Sequence, residues 1–189
     1  MRPVMLPTGG NHTEPQFVND FTGRLPRYDP RTKRVLSVLM KGLGAATGVS
    51  ISPHRNFLLV SEYHMKRVHR FWLRGSAANT SQVFLNLPRN PYKIRRTSSG
   101  AFWVAMASRS PNPTPLVITP LAQKLDINGV VLAELDLDKQ YHNKTMTGVV
   151  EHNEALYPTS GFVSILGVYT KSKSPKLAMR TATQAIATN

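Results

Sequence analysis

The chain has 189 residues, a mass of 21.0 kDa and no cysteine, and it carries 24 Lys and Arg against 10 Asp and Glu, a formal net charge of +14. The missing cysteines exclude a disulfide scaffold, thiolate metal sites and a cysteine nucleophile, and no run approaches the ~18–20 consecutive apolar residues of a membrane span. With 41% hydrophobic and 18% charged residues, the composition suits a packed globular chain and not a disordered one.

In chain order, the opening Met1-Arg2-Pro3-Val4-Met5-Leu6-Pro7 lacks the ~7–15-residue apolar core of a signal peptide, and residues 1–19 read as an irregular segment. Gly42-Leu43-Gly44-Ala45-Ala46-Thr47-Gly48 has the wrong spacing for a dinucleotide loop and predicts a connection between strands. Short apolar runs then follow: Phe57-Leu58-Leu59-Val60, Val68 to Leu73, Val83-Phe84-Leu85, Phe102-Trp103-Val104-Ala105, Val130-Val131-Leu132 and Phe162 to Tyr169. Runs of this length, rich in branched and aromatic residues and bounded by Gly, Pro, Asn and Ser, predict strands. The 14 prolines and 12 glycines spread along the chain work against long helices, so the fold class is all-β. His64 and His69, an odd number of residues apart on a strand, point to opposite faces and read as surface histidines rather than a metal pair. Residues 171–189, opening with Lys171-Ser172-Lys173-Ser174-Pro175-Lys176, read as a flexible basic tail. No nucleic-acid motif accompanies the basic residues, so no nucleic-acid partner is expected.

Residues 49–60 lie without gaps over residues 94–105, each copy a strand, a polar turn and a second strand, and a looser third copy begins at Val149. Offsets of this size fit the ~40–50-residue period of β-propeller blades, four-stranded antiparallel sheets that bury one another's faces.

These residues carry a resemblance. Gly23 to Lys33, Gly48 to Pro53, Arg70 to Gly75, Val83 to Pro88, Ile94 to Thr97, Phe102 to Ala105 and Glu151-His152-Asn153 resemble the plant strictosidine synthase-like family, in consistent order over residues 20–170. More distantly, the chain resembles the adipocyte plasma membrane-associated proteins and the paraoxonases. The resemblance implies a six-bladed β-propeller. At ~45 residues per blade this chain supplies about four, the C-terminal part, which predicts a shortened product with open edges prone to self-association. It also implies alkaloid biosynthesis, a small-molecule substrate and location in the vacuole or secretory pathway.

The family's condensation of an amine with an aldehyde, a Pictet–Spengler reaction, needs a carboxylate to move protons. The resemblance puts that glutamate at Thr147, or at Gly148 by the register of other relatives, and neither side chain exchanges a proton near neutral pH. Glu151, the nearest acid, reads as a solvated turn residue. The paraoxonase-like branch holds a metal with oxygen ligands, but Tyr92 and Lys93 stand at its Asp-Asn places and Thr47 at an Asn place. A metal site and any other cofactor are therefore not expected. Where relatives have Pro-Asp-Gly, this chain has Pro53-His54-Arg55, and Pro158 removes a ladder donor from its strand. Asn11, Asn79 and Asn143 open N-glycosylation sequons, with Asn79 and Asn143 the better placed. Three readings follow: an inactive strictosidine synthase-like relative, an ester or lactone hydrolase, or a non-catalytic propeller binding module.

Overall fold

A computed structural model of the chain describes residues 20–109, 117–161, 163 and 167–170, and the backbone of 179–181. It is built from antiparallel strands, as expected. A hairpin, β1 (Gly23–Asp29) and β2 (Arg34–Leu43), is followed by three four-stranded sheets. The first holds β3 (Ala46–Ile51), β4 (Phe57–Glu62), β5 (Arg67–Trp72) and β6 (Ser81–Asn86). The second holds β7 (Asn90–Arg96), β8 (Phe102–Arg109), β9 (Ile118–Leu125) and β10 (Val131–Asp136). The third holds β11 (Gly148–His152), β12 (Ala155–Thr159), β13 (Gly167–Thr170) and β14 (Met179–Thr181). One short helix, α1 (Asp138–Tyr141), links the second sheet to the third. Each sheet is a meander with neighbouring strands joined in chain order, the pattern of a propeller blade. Strand β14 falls within the stretch read as a flexible tail, where it pairs with β13 as an edge strand.

Alternation along the strands buries both faces of the middle sheet. Phe102, Val104 and Met106 pack with Ile94 against Phe57, Leu59 and Val68 of the first sheet. The residues between them, Trp103 and Ala105, face the third sheet, where Val149 and Tyr169 meet them and Leu137, Tyr141 and Met146 fill the gap. The hairpin covers part of the first sheet's other face, setting Met40 and Leu43 against Val60 and Phe71.

The internal repeat is real but is not gapless. In the sheets Val49 pairs with Val60 and Ile94 with Val104, so the turn of the second sheet is one residue shorter. Leu58, not Phe57, therefore corresponds to Phe102. With a side-chain period of two, the one-residue slip moves each aligned residue of the second strand to the opposite face. The apolar runs of β4 and β8 conceal the slip because both of their faces are buried.

The turn that lacks Asp and Gly is held by other means. Ser52 Oγ accepts the main-chain N–H groups of Asn56 and Phe57, each at 3.1 Å. Arg55 takes the left-handed conformation that Gly would occupy, with φ at 54°. A single non-glycine residue there costs roughly 1 kcal/mol. Strand β9, absent from the predicted runs, tolerates Pro120 because its ladder with β10 ends at Leu121.

Candidate functional site

The innermost strands β3, β7 and β11 lie side by side, and their opening residues form one row. By register, Thr47-Gly48-Val49, Tyr92-Lys93-Ile94 and Thr147-Gly148-Val149 hold the same position in three successive sheets. The places that the resemblance singled out for metal and for catalysis are thus brought together, though they were separated by 45 to 100 residues in the chain.

What stands there is a frame of hydrogen bonds between neighbouring sheets. Thr47 Oγ1 donates toward Pro91 O at 3.0 Å and Tyr92 O at 3.2 Å, and Ser61 Oγ donates to Tyr92 O at 2.6 Å. On the other side, Lys93 N donates to Thr147 O at 3.0 Å. Thr147 gives its own N–H to Thr159 O at 2.8 Å and turns its hydroxyl to the same oxygen at 3.3 Å.

The spacing requires glycine. A Cβ on Gly48 would lie 2.8 Å from Ile94 N and 2.9 Å from Tyr92 O, both backbone atoms that cannot give way cheaply. A Cβ on Gly148 would lie 2.7 Å from Thr159 Oγ1. A side chain at Gly148 would therefore have to displace the Thr159 hydroxyl.

The electrostatics do not suit a cation. Lys93 is exposed and brings a positive charge. Tyr92 packs edge-on against Tyr63, with ring centroids 5.4 Å apart. Burial, with Tyr63 beside it, pushes the Tyr92 phenol well above its ordinary range, so it stays neutral. The Thr47 hydroxyl is already committed to backbone carbonyls. A divalent metal needs several oxygens, including anionic ones, and this set of donors does not fit it. Among the described residues no group of three or more His, Cys, Asp or Glu is placed to hold a metal.

Two residues sit differently from expectation. Glu151 is not a solvated turn acid. Its carboxylate accepts Trp103 Nε1 at 2.6 Å and Lys124 Nζ at 2.8 Å, because the alternation of β11 points it across the junction with Val149. His69 is buried and meets Glu62 at 2.6 Å through Nε2, while His64 lies half-buried beside Tyr63.

Glu62 itself was missed in the sequence. It is fully buried and also accepts Gly44 N at 2.7 Å and Arg67 Nε at 2.6 Å. Burial alone would raise its pKa, but the hydrogen bonds from Arg67, Gly44 and His69 outweigh that and hold it below the usual carboxylate range. An acid inside an apolar run, with Arg and His five and seven residues on, was the available signal.

Of the sequon residues, Asn79 is exposed in the turn between β5 and β6. Asn143 is exposed as well, but its side-chain carbonyl accepts Ile118 N at 2.9 Å. Asn11 lies outside the described residues.

Meander sheets stacked face to face around converging inner strands define a propeller-type protein, and solved structures agree. The luciferin-regenerating enzyme superposes with a TM-score of 0.57 at 17% identity, covering 77% of this chain and 46% of its own. A protein assigned as a gluconolactonase gives 0.51 at 16% identity, covering 78% and 44%. At these identities the likeness is one of fold.

Sequence comparison then places the chain more narrowly. Residues 15–76 match the family model for strictosidine synthase. The chain is 36% identical over 141 residues to Protein STRICTOSIDINE SYNTHASE-LIKE 12 of Arabidopsis thaliana, covering 74% of this chain and 41% of that protein. It is 31% identical over 150 residues to strictosidine synthase of Catharanthus roseus, covering 79% and 42%. With the adipocyte plasma membrane-associated protein of Gallus gallus it shares 42% over 103 residues, covering 54% and 25%. Over part of its length the chain is related to the strictosidine synthase-like family, and it spans about two fifths of the plant relatives' length.

Proposed function

We propose that this chain is a strictosidine synthase-like propeller segment that does not catalyse amine–aldehyde condensation, because the place of the proton-moving acid has been absorbed into the frame. One observation carries this reading: Thr147 commits its N–H, carbonyl and hydroxyl to Thr159 and Lys93. A general acid or base must titrate near the working pH and reach the reacting proton. Thr147 does neither, and Glu151 is engaged with Trp103 and Lys124. The remaining use of such a surface is non-catalytic binding of a small molecule at the converging ends of β3, β7 and β11. The hydrolase reading is the weaker, since it draws on a metal that Lys93 and Tyr92 do not accommodate.

Incubation of the purified chain with tryptamine and secologanin tests this directly. No condensation product above the uncatalysed rate is expected, and enzyme-dependent product would overturn the proposal. Entry into the secretory pathway or vacuole is proposed with it, supported by the exposed Asn79 sequon. Expressed behind a signal peptide, the protein should lose mass on endoglycosidase treatment, and the Asn79→Gln variant should lose that shift.

A further inference from the structure

The turn between β9 and β10 carries a dipeptide with chemistry of its own. Asn128-Gly129 is the chain's one Asn-Gly sequence. Asp126 builds the turn: its Oδ1 accepts Asn128 N and Val130 N, each at 2.8 Å, and its N–H donates to Val130 O at 2.9 Å. That path puts Gly129 in the left-handed region, with φ at 94°, which is why glycine follows the asparagine. Asn128 is exposed, and its carboxamide has no hydrogen bond among the described residues. Gly129 N has only Asp126 O, at 3.3 Å, beyond the usual range for such a bond. Other asparagines in exposed turns differ. Asn79, Asn143 and Asn153 are followed by Thr80, Lys144 and Glu154, whose side chains crowd the next main-chain nitrogen. The Asn143 carboxamide oxygen is also held by Ile118 N.

We propose that Asn128-Gly129 is a site of spontaneous deamidation, and that its isoaspartyl product unlatches one rim of the junction between the first and second sheets. When the turn opens locally, Gly129 N loses its proton to solvent base and bonds to Asn128 Cγ. The Cγ–Nδ2 bond breaks and ammonia leaves, giving a cyclic imide. Water then opens the imide at either carbonyl. One product is aspartate, and the other is isoaspartate, in which the chain runs through the side chain. Isoaspartate inserts a methylene between the two main-chain nitrogens that Asp126 holds, so both cannot be held in the same geometry. The same turn presents Ile127 O to Arg70 Nη2 at 2.5 Å, and a Cβ on Gly129 would lie 3.3 Å from the Phe84 ring. Arg70 in turn lies over Phe57, Trp72 and Phe84 of the first sheet and its flank. A lengthened turn therefore loosens the hold of the second sheet on the outer rim of the first.

The test incubates the whole chain in mildly alkaline buffer and follows its peptides by mass spectrometry, with electron-transfer fragmentation to separate isoaspartate from aspartate. Conversion is expected at Asn128 before Asn79, Asn143 or Asn153, and at least threefold faster than in mildly acidic buffer. Asp126→Ala, whose turn opens more readily, should convert at least threefold faster again, and Asn128→Gln should not convert. Isoaspartyl protein, separated from the parent by its lower positive charge, should exchange the amide hydrogens flanking the turn at least tenfold faster. Freshly purified Asn128→Asp, with the charge but an unlengthened chain, should exchange as the parent does. No conversion in the folded chain while its urea-unfolded form converts would overturn the proposal, as would faster conversion at Asn79, Asn143 or Asn153. Exchange unchanged in the isoaspartyl protein, or raised equally in Asn128→Asp, would overturn the unlatching.

Discussion

The two junctions between four-stranded sheets solve the same packing problem with different residues. Between the first and second sheets the contact is apolar and bulky, with Phe57, Leu59, Ile94, Phe102 and Met106 interlocked. At its outer rim Arg70 lies against the rings of Phe57, Trp72 and Phe84, its guanidinium carbon 4.4 to 5.0 Å from their centroids. Between the second and third sheets the strands bring Trp103, Val149 and Tyr169 together but leave the small Ala105 and Ala122 between them. The link from β10 to β11 supplies the missing volume through Leu137, Tyr141 and Met146. That junction also carries the Glu151 clasp to Trp103 and Lys124. One junction is held by volume, the other by inserted volume and charge, so the two should respond differently to the same perturbations.

The sharpest way to break this comparison is to remove volume from the first junction. Phe102 is 0% exposed. Phe102→Ala should destabilise by about 3–5 kcal/mol in urea denaturation, with little dependence on pH or salt. A loss below about 1 kcal/mol would show that the sheets are not packed as described.

Next comes the polar cluster on the hairpin side of the first sheet. Glu62→Gln should cost about 3 kcal/mol, because Arg67 loses its buried counter-charge and the hydrogen bonds from Gly44 and His69 are disturbed. The sign with pH follows from the direction of the shift. A carboxyl held below its unfolded value stabilises fully above the ordinary carboxylate range and loses that contribution as pH falls through its folded value. The parent should therefore lose stability more steeply than Glu62→Gln as pH falls below the ordinary carboxylate range. Parallel curves would contradict the assignment.

Smaller effects sharpen the picture at the inner strands. Gly148→Ala should cost about 1–3 kcal/mol through the 2.7 Å approach to Thr159 Oγ1, and Thr159→Ala in the same chain should recover most of it. Failure of that rescue would place the crowding elsewhere. Last is the clasp itself. Glu151→Gln should cost about 1 kcal/mol, and a double-mutant cycle with Lys124→Met should show coupling that shrinks at high salt. Coupling indifferent to salt would argue against an ion pair.

Three strands with both faces buried were legible as apolar runs. Phe57 to Val60, Val68 to Leu73 and Phe102 to Ala105 fall within or almost coincide with β4, β5 and β8, because burial on two sides writes continuous apolar runs. Strand β9 was not legible: Pro120, Gln123 and Lys124 interrupt its run, and only its partners on β8 and β10 reveal it. The row formed by Thr47, Tyr92, Lys93 and Thr147 was legible residue by residue through family resemblance. Its use as a hydrogen-bonded frame was not, since that depends on how closely three inner strands approach. The Thr-Gly-Val repeated at 47–49 and 147–149 was a usable sign of that approach. Glu62, His69 and Glu151 were misjudged or passed over for one reason: a charged side chain on a strand looks solvated until the strand's face is known.

The central claim is that the family's reactive place has become scaffold. Mixing the purified chain with tryptamine and secologanin and following product by mass spectrometry tests it most directly. The account predicts the same product trace with and without protein. A protein-dependent, saturable rise in condensation product that Thr147→Val abolishes would contradict it.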